Sequence, residues 1–84
     1  MKSIRSFNKN LTVVGLALAE LRKKKGYSTI KEFARHYDLP EIQYWRIERG
    51  RANITLKSLV KILSIHHITL QDFFCALAFE EHAI

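Results

Sequence analysis

Two short stretches with helical periodicity, separated by a tight turn, occupy the centre of this 84-residue sequence. In the first stretch, Thr29 is followed three residues later by Glu32, a capping-box pattern that predicts a helix over about 30–37. The turn spans residues 37–40. Because proline is favoured in the first turn of a helix, Pro40 predicts a new helix over about 40–49. The middle of the sequence therefore predicts two short helices joined by a tight turn.

Three further helices are predicted around this pair. An apolar stripe predicts a first helix over 11–25, and Thr55 and Thr69 are good N-caps for helices over about 55–64 and 70–80. Only three glycines and one proline interrupt the chain, so an all-α fold of five short helices is expected. The expected organisation is a basic, mobile N-terminal arm over 1–10, a single domain over 11–80 and a short tail over 81–84. The inward residues of the last two helices are expected to be Leu56, Leu59, Val60, Leu63, Leu70, Phe73, Phe74 and Leu77.

The net charge of +6 is unevenly distributed. Residues 1–27 contain seven Lys and Arg against one Glu, whereas residues 69–84 contain no Lys or Arg. A basic surface attracts polyanions. Nucleic acid is the first candidate partner, and an anionic membrane is the second. Charge alone leaves open a basic protein that is merely soluble.

The N-terminal segment allows two interpretations. Three basic residues followed by an apolar run ending at Ala17-Leu18-Ala19 resemble a secretory signal with its cleavage site. The apolar spacing continues past that site to Leu21, which favours a core helix, and the run is too short and interrupted to span a membrane. The single cysteine, Cys75, lies in an apolar stretch, so we expect a buried structural thiol. A single cysteine allows no intramolecular disulfide, which fits a reducing compartment, and we therefore expect a cytoplasmic protein.

Two helices of about eight residues joined by a turn of about four, with Ala34 midway along the first, describe a helix-turn-helix motif. In this and in neighbouring segments the chain resembles the Cro/phage-repressor type of helix-turn-helix family, the xenobiotic-response-element regulators. The resemblance covers residues 11–75. The matching residues are Leu21-Arg22 with Gly26, Phe33-Ala34, Arg46-Ile47-Glu48-Arg49-Gly50, Asn53-Ile54-Thr55-Leu56, the stretch 59–63, and Thr69-Leu70-Gln71-Asp72-Phe73-Phe74.

The sequence departs from the family pattern at several positions. Asp38 stands where glycine is usual in the turn, and it either adopts the left-handed conformation or caps the following helix. Trp45 replaces a small residue, and Tyr44 replaces the Ile or Val that pins the third helix to the core. The connection over 26–29 is one residue longer than usual. These departures affect the details of base contact, not the fold.

The resemblance implies that the third helix enters the major groove of DNA. With Leu39, Tyr44 and Ile47 facing the core, the face left for reading bases consists of Glu41, Ile42, Gln43, Trp45 and Arg46. A solvated helix face is the alternative, and Trp45 can equally pack on a neighbouring helix. Phosphate contacts are expected from Thr29, Lys31, Arg35, Arg49, Arg51 and Asn53, with Lys2, Arg5 and Lys57 as weaker candidates.

The resemblance also places Arg22 beside Glu48 as a structural ion pair. The four histidines show no metal-binding spacing, and neither a phosphate-binding glycine loop nor a nucleophile motif is present, so no metal, cofactor or enzymatic activity is expected. The expected function is a sequence-specific transcriptional regulator, a repressor, that binds double-stranded DNA as a homodimer without a small-molecule effector or a membrane. The homodimer interface is expected at Ala76, Phe79 and Ile84, although Phe79 can instead fold back in a monomer. The alternative function is an antitoxin or other module that binds a toxin-like or different protein partner.

Overall fold

The computed structural model describes the backbone of residues 2–82 and the side chains of residues 9–78. Residues 2–82 contain no strand and form five helices: α1 (Lys2–Lys24), α2 (Ile30–His36), α3 (Glu41–Glu48), α4 (Leu56–Ile65) and α5 (Leu70–His82). The expected all-α, five-helix fold is therefore confirmed. None of the described helices combines the length and apolar content needed to cross a lipid bilayer.

Helix α1 corrects the expectation of a mobile arm over residues 1–10. The helix begins at Lys2 rather than near Leu11, and it runs without interruption to Lys24. The physical reason is that no glycine or proline precedes Gly15, so nothing in the basic segment ends the helix. The same helix passes straight through the Ala17-Leu18-Ala19 segment, where the side chain of Leu18 is fully buried.

The first four helices end in the same way, on a residue with a positive φ angle. These residues are Gly26, Asp38, Gly50 and His67, with φ values of 104°, 54°, 68° and 57°. At each of them the next backbone amide donates to a carbonyl five residues earlier, as in Leu39 N to Ala34 O at 2.8 Å. Each positive-φ residue also donates its own amide to the carbonyl three residues earlier. Together the two hydrogen bonds form the Schellman motif, which satisfies the last carbonyls of a helix.

Asp38 therefore ends α2 and does not cap α3. Its left-handed conformation is the one that the usual glycine of the turn adopts. The N-cap of α3 is Pro40, which makes no side-chain capping hydrogen bond. By contrast, Thr29, Thr55 and Thr69 each accept a hydrogen bond from the amide three residues on, as the sequence predicts.

The helices fall into two units, one ending at Asn53 and the other beginning at Ile54. In the first unit, α3 packs against both α1 and α2. Its buried core consists of Leu18, Phe33, Ala34, Tyr44 and Ile47. Ala34 is 1% exposed. This burial agrees with the close packing of α2 on α3 that its small side chain predicts.

In the second unit, α4 and α5 pack together around Leu59, Ile62, Leu63 and Phe73. Three residues expected in this core are instead exposed: Leu56 by 63%, Val60 by 44% and Phe74 by 43%. Ile62 takes the inward position on α4, since the buried side of the helix is centred between Leu59 and Leu63. Cys75 is also exposed, not buried, because it lies on the side of α5 away from Phe73.

Candidate nucleic-acid interface

Helix α3 has one buried side and one exposed side. Tyr44 and Ile47 are buried in the first unit, and Leu39 just before the helix is half-buried. The opposite side exposes Glu41, Ile42, Gln43 and Arg46, and the side chain of Ile42 is 77% exposed. Trp45 is half-buried at the edge of this face. The structure thus exposes four of the five candidate base-reading side chains on one helix.

A close approach between α1 and the end of α3 holds this helix in place. A Cβ atom on Gly15 would lie 2.5 Å from the carbonyl oxygens of both Ile47 and Glu48. One turn earlier on α1, Thr12 meets Gly50, where an added Cβ would lie 2.9 Å from the Thr12 Cα. Gly15 was not among the residues singled out from the sequence. Its signal was a glycine inside an amphipathic helix, which marks a close backbone contact.

The ion pair between Arg22 and Glu48 fastens the same two helices. Arg22 Nε donates to Glu48 Oε2 at 2.8 Å, and Nη2 donates to Oε1 at 3.1 Å. The remaining Nη1 donates to the carbonyl of Tyr27 at 2.8 Å, and both charged side chains are buried. The hydrogen bond to Glu48 raises the pKa of Arg22 above its usual value. Both oxygens of the carboxylate and three nitrogens of the guanidinium are therefore satisfied, as a buried pair requires.

Tyr44 belongs to α3, and its side chain is buried in the same core. The residue is 1% exposed, and its hydroxyl makes no hydrogen bond to any residue that the structure describes. Burial strongly raises the pKa of this phenol, because ionisation would place a charge in an apolar environment near the Glu48 carboxylate. Tyr44 thus fills the position that Ile or Val occupies in the family pattern, and it does so with a larger ring.

Tyr27 anchors the connection between α1 and α2. Its ring packs edge-on against Phe33, His36 and Tyr37, with ring centroids 5.4, 5.5 and 5.7 Å away. The Tyr27 hydroxyl also hydrogen-bonds Nδ1 of His36. The ring contacts of Tyr27 and the hydrogen bond from Arg22 Nη1 to its carbonyl therefore hold this connection against α1 and α2.

The candidate phosphate-binding residues are all exposed in the first unit. Thr29, Lys31 and Arg35 belong to α2 and its N-cap, and the Thr29 hydroxyl accepts from the amide of Glu32. Arg49 is the C-cap of α3, and Arg51 and Asn53 follow in the loop.

The two loop arginines lie close to Trp45. The Cζ atoms of Arg49 and Arg51 are 5.1 and 5.9 Å from the centre of the Trp45 ring system. Arg46 Nη2 donates to the carbonyl of Arg51 at 3.4 Å. This hydrogen bond links the exposed face of α3 to the loop that carries the phosphate-binding candidates.

The candidate dimer residues are only partly described. Ala76 is exposed on α5, whereas the side chain of Phe79 and the whole of Ile84 lie outside the described residues. The side chains of Lys2 and Arg5 also lie outside them. Among the described residues, no three His, Cys, Asp or Glu side chains are grouped so that they could hold a metal ion.

A fold of short helices with an exposed third helix beside a basic loop is that of helix-turn-helix DNA-binding proteins. The helix-turn-helix family model matches residues 18–73, so the chain belongs to this family of Cro/phage-repressor type regulators. A curated relative is named control protein C.MunI, from Mycoplasma sp. This relative is 38% identical over 60 residues, which cover 71% of this chain and 81% of the relative. No solved structure matches the chain at comparable stringency.

Proposed function

We propose that this protein regulates transcription by binding a specific DNA sequence with α3 in the major groove. The observation that carries the proposal is the exposed face of Glu41, Ile42, Gln43 and Arg46 on a helix whose other side is anchored to α1 and α2. In the major groove every base pair presents a distinct pattern, so a rigid helix with varied side chains can read sequence. Arg46 would donate two hydrogen bonds to guanine, Glu41 would accept from cytosine, and Ile42 would pack on a thymine methyl group.

Phosphate contacts from both ends of the motif would orient this helix. Lys31 and Arg35 on α2, and Arg49, Arg51 and Asn53 after α3, expose polar side chains on elements that pack on or continue α3. Such contacts fix the register of a protein on DNA but carry no sequence information. The Thr29 hydroxyl accepts from the amide of Glu32, and its own proton remains free to be donated to a phosphate oxygen.

The direction of regulation that we propose is repression. A small protein that occupies a promoter blocks polymerase by binding alone, whereas activation needs an additional contact with the transcription machinery. The relative named as a control protein supports a regulatory role. We place the protein with its DNA in the cytoplasm and expect no small-molecule effector.

A homodimer would match a palindromic operator with half-sites about 34–36 Å apart. The second unit exposes Leu56, Val60 and Phe74, which are large apolar side chains of the kind found at protein interfaces. This observation also favours the second candidate function, a module that holds a different protein such as a toxin. A protein of that kind would bind its partner with the second unit, and its DNA binding would be weak or secondary.

The experiment that tests DNA binding is a gel shift with DNA from directly upstream of the protein's own gene, compared with a scrambled duplex. We expect preference for the upstream DNA. Arg51→Ala and Lys31→Ala should each weaken binding to both duplexes. Each should also make the negative slope of log K against log salt shallower by roughly one unit, because one phosphate contact is lost. Lys23→Ala, which removes an exposed charge from α1, is the matched control and should leave the slope unchanged. Equal affinity for both duplexes would argue for the protein-binding alternative.

A further inference from the structure

We propose that Trp45 is a positioning residue that holds Arg49 and Arg51 against its indole ring and presents them together to the DNA backbone. The proposal rests on the proposed DNA-binding function and assigns a role to the one tryptophan of the chain. It replaces the expectation that Trp45 reads a base. Where the family pattern has a small residue, this chain has gained a platform for two cations.

The backbone explains how both arginines reach one ring. Arg49 follows Trp45 by four residues, so the two side chains share a helix face, and the Arg49 amide donates to the Trp45 carbonyl at 3.1 Å. Arg51 would point away from Trp45 if the helix continued. The left-handed turn at Gly50 ends the helix, and the Arg51 amide folds back to the Arg46 carbonyl at 2.9 Å.

The contacts have the geometry of cation–π interactions. The guanidinium carbons lie 5.1 and 5.9 Å from the ring centre, within the distance of about 6 Å at which a cation is attracted to an aromatic face. The electron-rich ring offsets part of the repulsion between two neighbouring positive charges. Trp45 is half-buried while both arginines are exposed, so the ring is held by the protein and the charges remain available to an anion.

The benefit for binding is pre-organisation. A free arginine loses rotamer freedom when it binds a phosphate, and a side chain already held by a ring loses less. Two arginines ordered in this way should improve affinity about tenfold for any DNA sequence. Because phosphates carry no sequence information, the ratio of specific to non-specific affinity should not change.

The first test needs no DNA. In the NMR spectrum of the full chain, the aromatic ring should shift the Cδ protons of Arg49 and Arg51 upfield, and Trp45→Leu should return them to ordinary values. Trp45→Phe, which keeps a ring face, should retain part of the shift. Arg35 on α2 is the control arginine, whose protons should not respond. Unshifted Arg49 and Arg51 protons in the wild-type protein would overturn the proposal.

The second test compares a duplex selected from a random library by the wild-type protein with a scrambled duplex. Trp45→Leu should weaken binding to both by the same factor, about tenfold, and should have no further effect in the Arg49→Ala/Arg51→Ala background. Trp45→Phe should restore most of the affinity. A loss confined to the selected duplex, or an undiminished loss without the arginines, would make Trp45 a base-contacting residue and overturn the proposal. If no duplex is preferred over the scrambled one, the proposed function fails, while the NMR shifts still decide the placement of the arginines.

Discussion

Arg22 and Glu48 are the two charged side chains that are buried among the described residues. The resemblance to the family predicted that they pair, although they are 26 residues apart in the sequence. What the sequence could not supply is the third bond, from Arg22 to the carbonyl of Tyr27, because it depends on the path of the longer connection. The pair therefore joins the end of α1, the end of α3 and the loop before α2.

We predict that removing one partner of this pair destabilises the protein more than removing both. Arg22→Leu or Glu48→Leu alone should lower the free energy of unfolding by about 3–5 kcal/mol, because one charge is left buried without its counter-charge. The measurement is a double-mutant cycle by denaturant unfolding, with exposed Lys23→Ala as a control that should have almost no effect. Additive losses in the double variant would show that the pair contributes no coupling.

Tyr44 provides a pH-dependent prediction at the same scale. Its pKa is raised in the folded protein, so the folded state keeps the proton at a pH where the unfolded phenol, with a pKa of about 10, loses it. The stability contributed by the neutral ring is complete below pH 10 and is lost as the pH rises above that value.

Tyr44→Phe should therefore flatten the alkaline side of the stability curve. Above about pH 10 the wild-type protein should lose about 1.4 kcal/mol more per pH unit than the variant, measured by denaturant unfolding. All other side chains are the same in the two proteins, so their contributions cancel in the comparison. Parallel pH profiles would contradict the burial of an un-ionised phenol.

At the scale of the elements, the sequence predicted all five helices because their N-caps and apolar periods agree. It predicted the ends of α2 and α3 within one or two residues, since the turn over 37–40 and Gly50 interrupt the helical pattern. It left open whether Asp38 adopts the left-handed conformation or caps α3, and the structure shows the former. The sequence did not predict that α1 begins at Lys2, because the basic residues of this segment suggested a mobile arm. Without a glycine or proline before Gly15, nothing in the segment interrupts a helix. The sequence also placed Leu56 and Val60 inward, because a wide apolar stripe does not show which part of it is covered.

Gly15 gives the clearest prediction for the packing of α1 on α3. In an exposed helix, Gly→Ala adds about 1 kcal/mol of stability. Here we expect Gly15→Ala to lower the free energy of unfolding by about 1–3 kcal/mol. The new methyl group would overlap the carbonyl oxygens of Ile47 and Glu48, which belong to the backbone of α3, so the helix itself would have to shift. Denaturant unfolding measures the effect, and Asn10→Ala at an exposed site of the same helix is the control. A more stable Gly15→Ala protein would mean that α3 does not approach α1 so closely.

At the scale of the whole molecule, the exposed apolar residues of the second unit are the feature that a monomer leaves unexplained. The sequence pointed to the end of α5 for a dimer, on the assumption that Phe74 closes the core. Because Phe74 is exposed, the middle of α5 is also a candidate for the dimer interface. Sequence patterns alone cannot separate a core from an interface, since both are apolar.

We predict that the wild-type protein sediments as a dimer at micromolar concentration and that Phe74→Glu or Phe79→Glu shifts it to a monomer. A charge at an apolar interface stays without a partner and opposes association. Leu16→Glu, at an exposed apolar site on α1, is the matched control and should remain dimeric. Dimers in all variants would move the interface elsewhere, and a monomeric wild-type protein would end the dimer proposal.

Reading of DNA sequence by the exposed face of α3 is tested most directly through Arg46. The measurement is the affinity of the wild-type protein and of Arg46→Ala for the preferred duplex and for each of its single-base-pair variants. We predict that Arg46→Ala costs about 1–3 kcal/mol on the preferred duplex and abolishes discrimination at one base pair, because a bidentate contact to guanine is lost. An equal loss on every duplex would make Arg46 a phosphate contact and would contradict sequence reading by this residue of α3.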